Sequence, residues 1–226
     1  MNRADWQGEL WLAKDFALLQ GKAGRTSEHA HYAHQVLLSS VGPIIASVEG
    51  LTLTSHCVLI PSLCRHVIVD APESLFTIYA EPLAMSGPTL MGAVLQAKPS
   101  LPSLADALRR CRSSRLPDPR VARALTAVDA LLASTVSATS LANSVHLSLS
   151  QLERLFGAHV GLPIRRLVLW RRLRLAMALV FEGQTLTGAA HAAGFSDSAH
   201  FSRTMRSMFG VRADRSLRHM SVRCID

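Results

Sequence analysis

Apolar positions change their spacing near the middle of this chain. Up to Tyr79 they come in short runs: Leu10–Leu12, Phe16–Leu19, Gln35–Ser39, Ile44–Val48, Leu51–Thr54, Cys57–Ile60, His66–Val69 and Leu75–Tyr79. The runs are rich in Val, Ile, Leu and Thr, and Gly42-Pro43, Glu49-Gly50, Pro61 and Ala71-Pro72 break them. Many short β-prone runs separated by turn residues predict a small antiparallel barrel or sandwich. Glu81–Pro102 is interrupted by prolines and glycines and predicts a loop with a short helical piece. Leu104–Cys111 predicts a helix. Leu116-Pro117-Asp118-Pro119 reads as a hinge, because two prolines block helix continuation.

From Pro119 the period becomes 3.6. Val121, Leu125, Val128, Leu131 and Leu132 fall on one face of a helix. Pro163–Val180 predicts a long helix with proline in its first turn. Ile164, Leu167, Val168, Leu175 and Val180 supply its buried positions, and Arg165, Arg166, Arg171, Arg172 and Arg174 its polar ones. Gln184–Gly210 then reads as helix, tight turn, helix. Ala189, Ala190 and Ala193 let two helices approach closely, Gly194 supplies a left-handed turn residue, Phe195 is an apolar plug and Ser196 is a candidate N-cap. A short helix, a glycine turn and an arginine-bearing second helix is the pattern of a DNA-reading helix-turn-helix.

A weaker copy lies in Thr139–Gly161. Ala142 stands before Ser148 as Ala190 stands before Ser196, and Leu147 matches Phe195. Leu152, Arg154 and Gly161 match Phe201, Arg203 and Gly210, with one residue fewer in between. Such a repeat implies two recognition helices. Joined by the long helix, roughly 27 Å at 1.5 Å per residue, they are predicted to stand about one DNA turn apart. Ser150, Gln151 and Arg154 in the first, and Ser198, His200, Arg203 and Arg206 in the second, are the candidate DNA contacts. Gln pairs with adenine, and Arg reads guanine or holds phosphate. Arg154 and Arg203 share a repeat position and are assigned to phosphate; Asp197 either caps its helix or reads a base.

Charge follows the same division. The chain of 226 residues carries a formal net charge of +8. Residues 1–118 hold equal numbers of acidic and basic groups, so the whole excess lies in residues 119–226, where every basic side chain is arginine. That is the electrostatic footprint of a polyanion binder. Cys57, Cys64, Cys111 and Cys224 show no CxxC spacing and read as reduced thiols of a cytoplasmic protein. No basic-then-apolar leader opens the chain, and no apolar run approaches the length of a membrane span.

The phrases LSLSQLERLF, LWRRLRLAMALV and AAHAAGFSDSAHFSRTMRSMFGV resemble the AraC family of transcriptional regulators over Asp118–Leu217. The resemblance implies an α+β two-domain protein: a small cupin-like antiparallel β-barrel (1–98), a helical linker and hinge (99–118), and a double helix-turn-helix domain (119–220). It implies double-stranded DNA and RNA polymerase as partners, an unknown small-molecule effector, the role of an activator or a repressor, no membrane association, and a monomer or homodimer. The N-terminal half resembles the cupin-like sensor of some members. His29, His31 and Gln35 fit an HxHxxxE metal pattern with Gln for Glu, and Pro61 to His66 fits PxGxxH with Leu63 for Gly. The four residues His29, His31, Gln35 and His66 either hold a divalent metal such as Zn, Ni, Fe or Mn, or line the effector pocket. Strand alternation places the first three on one face and His34 on the other. The rival reading is a metal-dependent cupin enzyme with an accessory DNA-binding domain. Gln35 and Leu63 weigh against it, and no GxSxG, P-loop or catalytic-triad spacing is present.

Overall fold

The computed structural model describes residues 6–22, 26–111, 118–134, 136–217 and 220–225. The expected hinge lies partly outside them, at Leu116 and Pro117. Each apolar run of the first half is a strand: β1 (Gln7–Leu12), β2 (Phe16–Lys22), β3 (His34–Leu38), β4 (Ile44–Val48), β5 (Leu51–Ser55), β6 (Cys57–Ile60), β7 (His66–Asp70) and β8 (Leu75–Ala80). Two helices follow, α1 (Gly87–Gln96) and α2 (Leu101–Arg110). Ser86 caps α1 by accepting from the Thr89 amide at 3.2 Å, and proline in the first turn suits the missing donor there.

The strands form two sheets, ordered β6-β3-β8-β2-β1-β9 and β5-β4-β7. The expectation of a closed barrel is therefore corrected to two open sheets. Among the described residues no strand-to-strand ladder joins them, and their inner faces meet through side chains. In β8 alternate residues serve opposite layers. Phe76, Ile78 and Ala80 join Leu18, Val36, Leu90, Val94, Leu104 and Leu108 under the two helices. Leu75 joins Leu37, Ile44, Ala46, Val58, Ile60 and Ile68 between the sheets. Burial on both faces explains why β8 is apolar almost without alternation. The strand β9 (Met220–Cys224) adds in parallel to β1. Its sequence MSVRC alternates apolar and polar residues over only five positions, a run short enough to depend on its partner strand.

The remaining helices are α3 (Pro119–Ala130), α4 (Ala138–Ser144), α5 (Leu149–His159), α6 (Ile164–Phe181), α7 (Leu186–Ala192), α8 (Ser198–Phe209) and α9 (Ala213–Ser216). Pro163 is the N-cap of α6 rather than its first residue, with ψ 144 outside the helical range. Residues 1–112 with 205–226 make one compact unit and residues 113–204 the other, so the chain changes unit within α8. In the helical unit Val121, Ala124, Val128, Leu141, Ala142, Leu152, Phe156, Leu167 and Leu173 are fully buried. Leu131 lies past the end of α3 and is exposed. No helix among the described residues is long and apolar enough to cross a membrane.

Three non-glycine residues outside the strands are held in the left-handed region, Glu49 at φ 48, Leu63 at φ 66 and His146 at φ 57. The side chains of Leu63 and His146 are exposed, so shortening them removes little packing. Leu63→Gly and His146→Gly should each raise the urea midpoint, by about 0.5–1 kcal/mol of stability once the glycine's extra unfolded-state entropy is subtracted. Unchanged or lower midpoints in both variants would show that neither backbone is strained.

Candidate nucleic-acid interface and a buried histidine cluster

The two helix-turn-helix units superpose in register once their caps are known. Ser137 caps α4 and Thr185 caps α7. Five residues on, Ala142 and Ala190 are buried. Nine residues on, His146 (φ 57) and Gly194 (φ 82) make the left-handed turn. Leu147 and Phe195 follow. The second unit then has one additional residue, Ser196, and the cap of α8 is Asp197, whose Oδ1 accepts from the His200 amide at 2.6 Å. The expectation that Ser196 is the cap is thus corrected: Asp reaches the third amide with a full charge, while Ser196 Oγ donates to Asp197 Oδ2 at 3.1 Å. These bonds hold the Asp197 carboxyl below the usual carboxylate range.

Counting from Ser148 and Asp197, every later match falls at the same interval. Leu152 pairs with Phe201, Arg154 with Arg203, Phe156 with Met205, Val160 with Phe209, and Gly161 with Gly210. The three apolar pairs are buried. Arg154 and Arg203 are both exposed, as are Ser150, Gln151 and Arg206; Ser198 and His200 are half-buried. Gln151 closes a capping box with Ser148, its Oε1 accepting from the Ser148 amide at 2.9 Å. Only its amide N–H groups therefore remain for an outside acceptor while the box is closed. His200 Nδ1 lies 3.2 Å from Ser196 Oγ, and its ring meets Phe195 edge-on.

The arginines of α6 divide between structure and surface. Arg171 pairs with Asp129. Arg172 donates to the carbonyls of Leu132 at 3.0 Å and Ser134 at 2.6 Å, closing the end of α3. Arg165 and Arg166 are exposed. The structural work of Arg171 and Arg172 carries no signal in helical periodicity alone.

In the other unit the structure brings His29, His31, Gln35 and His66 together, all buried. One ring nitrogen from each histidine lies within 4.8 Å of those of the other two. The His29 segment bridges the start of β7 through His29 N to His66 O at 3.0 Å and His66 N to His29 O at 2.9 Å. Each imidazole is pinned at Nδ1 by a backbone carbonyl two residues away: His29 to Ser27 at 2.8 Å, His31 to Ala33 at 2.9 Å, His66 to Cys64 at 2.9 Å. A carbonyl only accepts, so Nδ1 carries the proton in His29 and His66, whereas in His31 the Nε2 also faces an oxygen, Gln35 Oε1 at 3.1 Å. Burial, and then the neighbouring imidazoles, push His29 and His31 down to about 3. Burial also lowers His66. All three rings are neutral at physiological pH. His34 stands apart, its Nδ1 accepting from the Ser62 amide at 3.0 Å.

Three residues around the cluster escaped the sequence reading. Phe209 packs its ring 5.4 Å from that of His31 and edge-on to Tyr79 and Trp6, at 5.6 and 5.8 Å. Gln35 Nε2 donates to Tyr79 Oη at 3.4 Å, and burial raises the Tyr79 phenol. Tyr79 was legible as an inward strand position, whereas Trp6 and Phe209 lie far away in sequence and have no local signature.

Paired helix-turn-helix units joined by a long helix define a double helix-turn-helix DNA-binding module. Residues 141–218 match the family described as "Helix-turn-helix domain". The transcriptional activator RhrA of Rhizobium meliloti is 32% identical over 116 residues, covering 50% of this chain and 37% of that protein. The HTH-type transcriptional activator RhaS of Pectobacterium carotovorum is 41% identical over 85 residues, covering 36% and 29%. The chain thus spans about a third of the length of these curated relatives. Apo ToxT from Vibrio cholerae shares the fold at TM-score 0.60 and 11% identity, over 93% of this chain and 98% of that one. ToxT bound to an unsaturated fatty acid gives 0.57 and 11%, over 90% and 95%.

A Cβ on Gly194 would stand 2.3 Å from the Leu132 carbonyl oxygen and 2.8 Å from Arg172 Nε, at a φ that already disfavours side chains. Gly194→Ala should destabilise the helical unit by about 1–3 kcal/mol from backbone strain, and Gly194→Val by more. Thermal melting and duplex-DNA affinity should fall together. Wild-type melting and affinity in Gly194→Val would show that the turn is built differently.

Proposed function

We propose that the protein is a cytoplasmic, sequence-specific transcription regulator that reads duplex DNA with α5 and α8 and responds to an effector through its N-terminal half. The observation that carries this is the residue-for-residue match of the two units from cap to terminal glycine, with an exposed arginine at the same place in each. The relatives' names as transcriptional activators support an activator's role working with RNA polymerase. We assign residues 1–98 to a cupin-like sensor, 99–118 to a linker, and 119–220 to the DNA-binding domain, whose last residues pack with the strands.

At the DNA end, Arg154 and Arg203 take phosphates, with Arg206 beside them on α8. Gln151 presents its amide donors to a purine or thymine acceptor while its oxygen stays in the capping box. Ser150, Ser198 and His200 complete the contact set. In the N-terminal half, His29, His31, Gln35 and His66 are the effector-binding residues. The fold shared with ToxT, described bound to an unsaturated fatty acid, supports a ligand-responsive sensor. The cupin-enzyme reading is not favoured: the named relatives are regulators, and the Glu of the metal pattern is Gln35.

Affinity of the full chain for duplex DNA should fall by about 10³–10⁵ between roughly 50 and 200 mM salt, as for about 6–10 phosphate contacts. Arg154→Ala and Arg203→Ala should weaken all sequences alike, each lowering the salt slope by about one. Gln151→Ala should relax choice at one base position and also lose its cap. A flat salt response would contradict DNA binding; a change confined to one base position in Arg203→Ala would contradict the phosphate role.

A further inference from the structure

We propose that the outer edge of β5 is the surface through which two copies of this chain pair, antiparallel and about a two-fold axis at Leu53. The inference goes beyond the DNA-binding reading and does not depend on it. A sheet edge offers its backbone groups to any other strand, and proteins guard such edges with charge, bulges or a covering element. The edges of the two sheets are β6, β9, β5 and β7. Helix α1 covers β6, with Met91 Sδ 3.6 Å from Cys57 Sγ. β9 carries Arg223, whose guanidinium lies over the Trp11 ring. β7 has a register shift opposite Ile45 and Ala46, ends in Asp70, and is bridged at His66 by His29. β5 has none of these guards. Its sequence LTLTS holds no charge and no proline, its ladder with β4 is unbroken, and every side chain is exposed. Among the described residues no strand pairs with its outer edge.

The leucines of β5 supply the second argument. Register sets Leu53 opposite Ala46 and Leu51 opposite Val48. Opposite residues of an antiparallel pair share a face. Ala46 is buried between the sheets and Val48 packs on that layer, so both leucines continue the core face of their sheet. Leu53 is nevertheless 39% exposed and Leu51 70%. One exposed leucine is ordinary. Two in line with the core layer, on an unguarded edge, mark a surface with apolar area left to bury.

The occupant follows from the sequence of the strand. A two-fold interface must be self-complementary, each residue meeting its symmetry mate across the axis. Leu-Thr-Leu-Thr-Ser paired antiparallel about its middle residue sets Leu53 against Leu53, Thr52 against Thr54 and Leu51 against Ser55. Every residue of the strand then pairs, and all the leucines stay on the core face because the register preserves the two-residue alternation. The other face gains Thr–Thr pairs, a favourable cross-strand combination. An edge without charge calls for no partner of opposite charge. The two three-stranded sheets become one continuous sheet. A strand of this length is roughly 17 Å long, so its ladder alone falls short of the ~800 Å² per partner of a stable complex. The dimer is therefore weak, with dissociation in the micromolar range or above.

The test is sedimentation of the full chain over a concentration series. The wild-type protein should pass from monomer to dimer as concentration rises. Leu53→Lys and Leu53→Glu each place like charges on the axis and should weaken the dimer at least about tenfold, with melting unchanged. An equimolar mixture of the two should recover a dimer, because Lys then faces Glu. Leu53→Cys should cross-link to its own copy under mild oxidation, since the paired Cβ atoms stand about 4.5–5.5 Å apart. Val69→Cys, exposed on β7, should not. The cross-link decides the matter if the charged variants melt early. A chain that stays monomeric to its solubility limit, a dimer indifferent to both charged variants, or equal cross-linking in Leu53→Cys and Val69→Cys overturns the proposal. A mixture that stays monomeric while both charged variants are folded overturns the two-fold register at Leu53.

Discussion

The helical unit depends on one close approach. At Gly194 the chain turns through a left-handed conformation directly against the Leu132 carbonyl, with Arg172 bonded to that same oxygen. Ala189, Ala190 and Ala193, on and just after α7, are all fully buried, and α7 packs on α6. Phe195 and Phe201 fill the angle between α7 and α8, with ring centroids 5.5 Å apart. With the turn fixed, Asp197 falls where it can cap α8, and the period of 3.6 puts Arg203 outward and Phe201 and Met205 inward. The first unit reaches the same geometry with His146 in place of glycine, where the backbone conformation is less favourable. That explains why its sequence signature is the weaker of the two.

A second constraint governs the strand-bearing unit: polar groups placed between two sheets must satisfy one another. Most of the inner layer is aliphatic, as at Leu37, Ile44 and Ile68. The end holding His29, His31, Gln35 and His66 is not. Short-range carbonyl bonds hold the rings of His29, His31 and His66 at Nδ1, and the buried Nε2 of His66 has no hydrogen-bond partner. The rings of Tyr79, Trp6 and Phe209 pack beside the cluster. Because Phe209 is also the last residue of α8, one side chain belongs at once to the interior of the strand-bearing unit and to the second helix of a helix-turn-helix pair.

Much of this was legible in the sequence, for local reasons. Eight strands announced themselves because each is a short apolar run bounded by turn residues. The two recognition helices did so because caps, turn and buried positions repeat at fixed intervals. Strand alternation separates His34 from Gln35 in β3, but His29 and His31 lie before that strand, and His29 reaches the cluster through its bridge to His66 rather than by alternation. Features that depend on distant partners were not legible. β9 is a five-residue run that pairs with β1, more than two hundred residues away in sequence. α1 begins in a Gly-Pro pair that reads as loop but serves as a first helical turn under the Ser86 cap. The barrel expectation failed because strand count does not say which edges pair. The assignment of the cap to Ser196 failed because the repeat gains a residue in the turn, which only geometry locates. Ser27 and Gly210 bond across 183 residues, beyond any local pattern.

The central claim is that two equivalent helices read DNA on one face. The most direct measurement is selection of duplexes bound by the full chain from a random-sequence pool, followed by hydroxyl-radical footprinting of the winners. The account predicts an enriched pair of short half-sites with centres about 10–10.5 base pairs apart, protected on the same face of the duplex. A single contiguous half-site, protection on opposite faces, or no enrichment over the starting pool would contradict it.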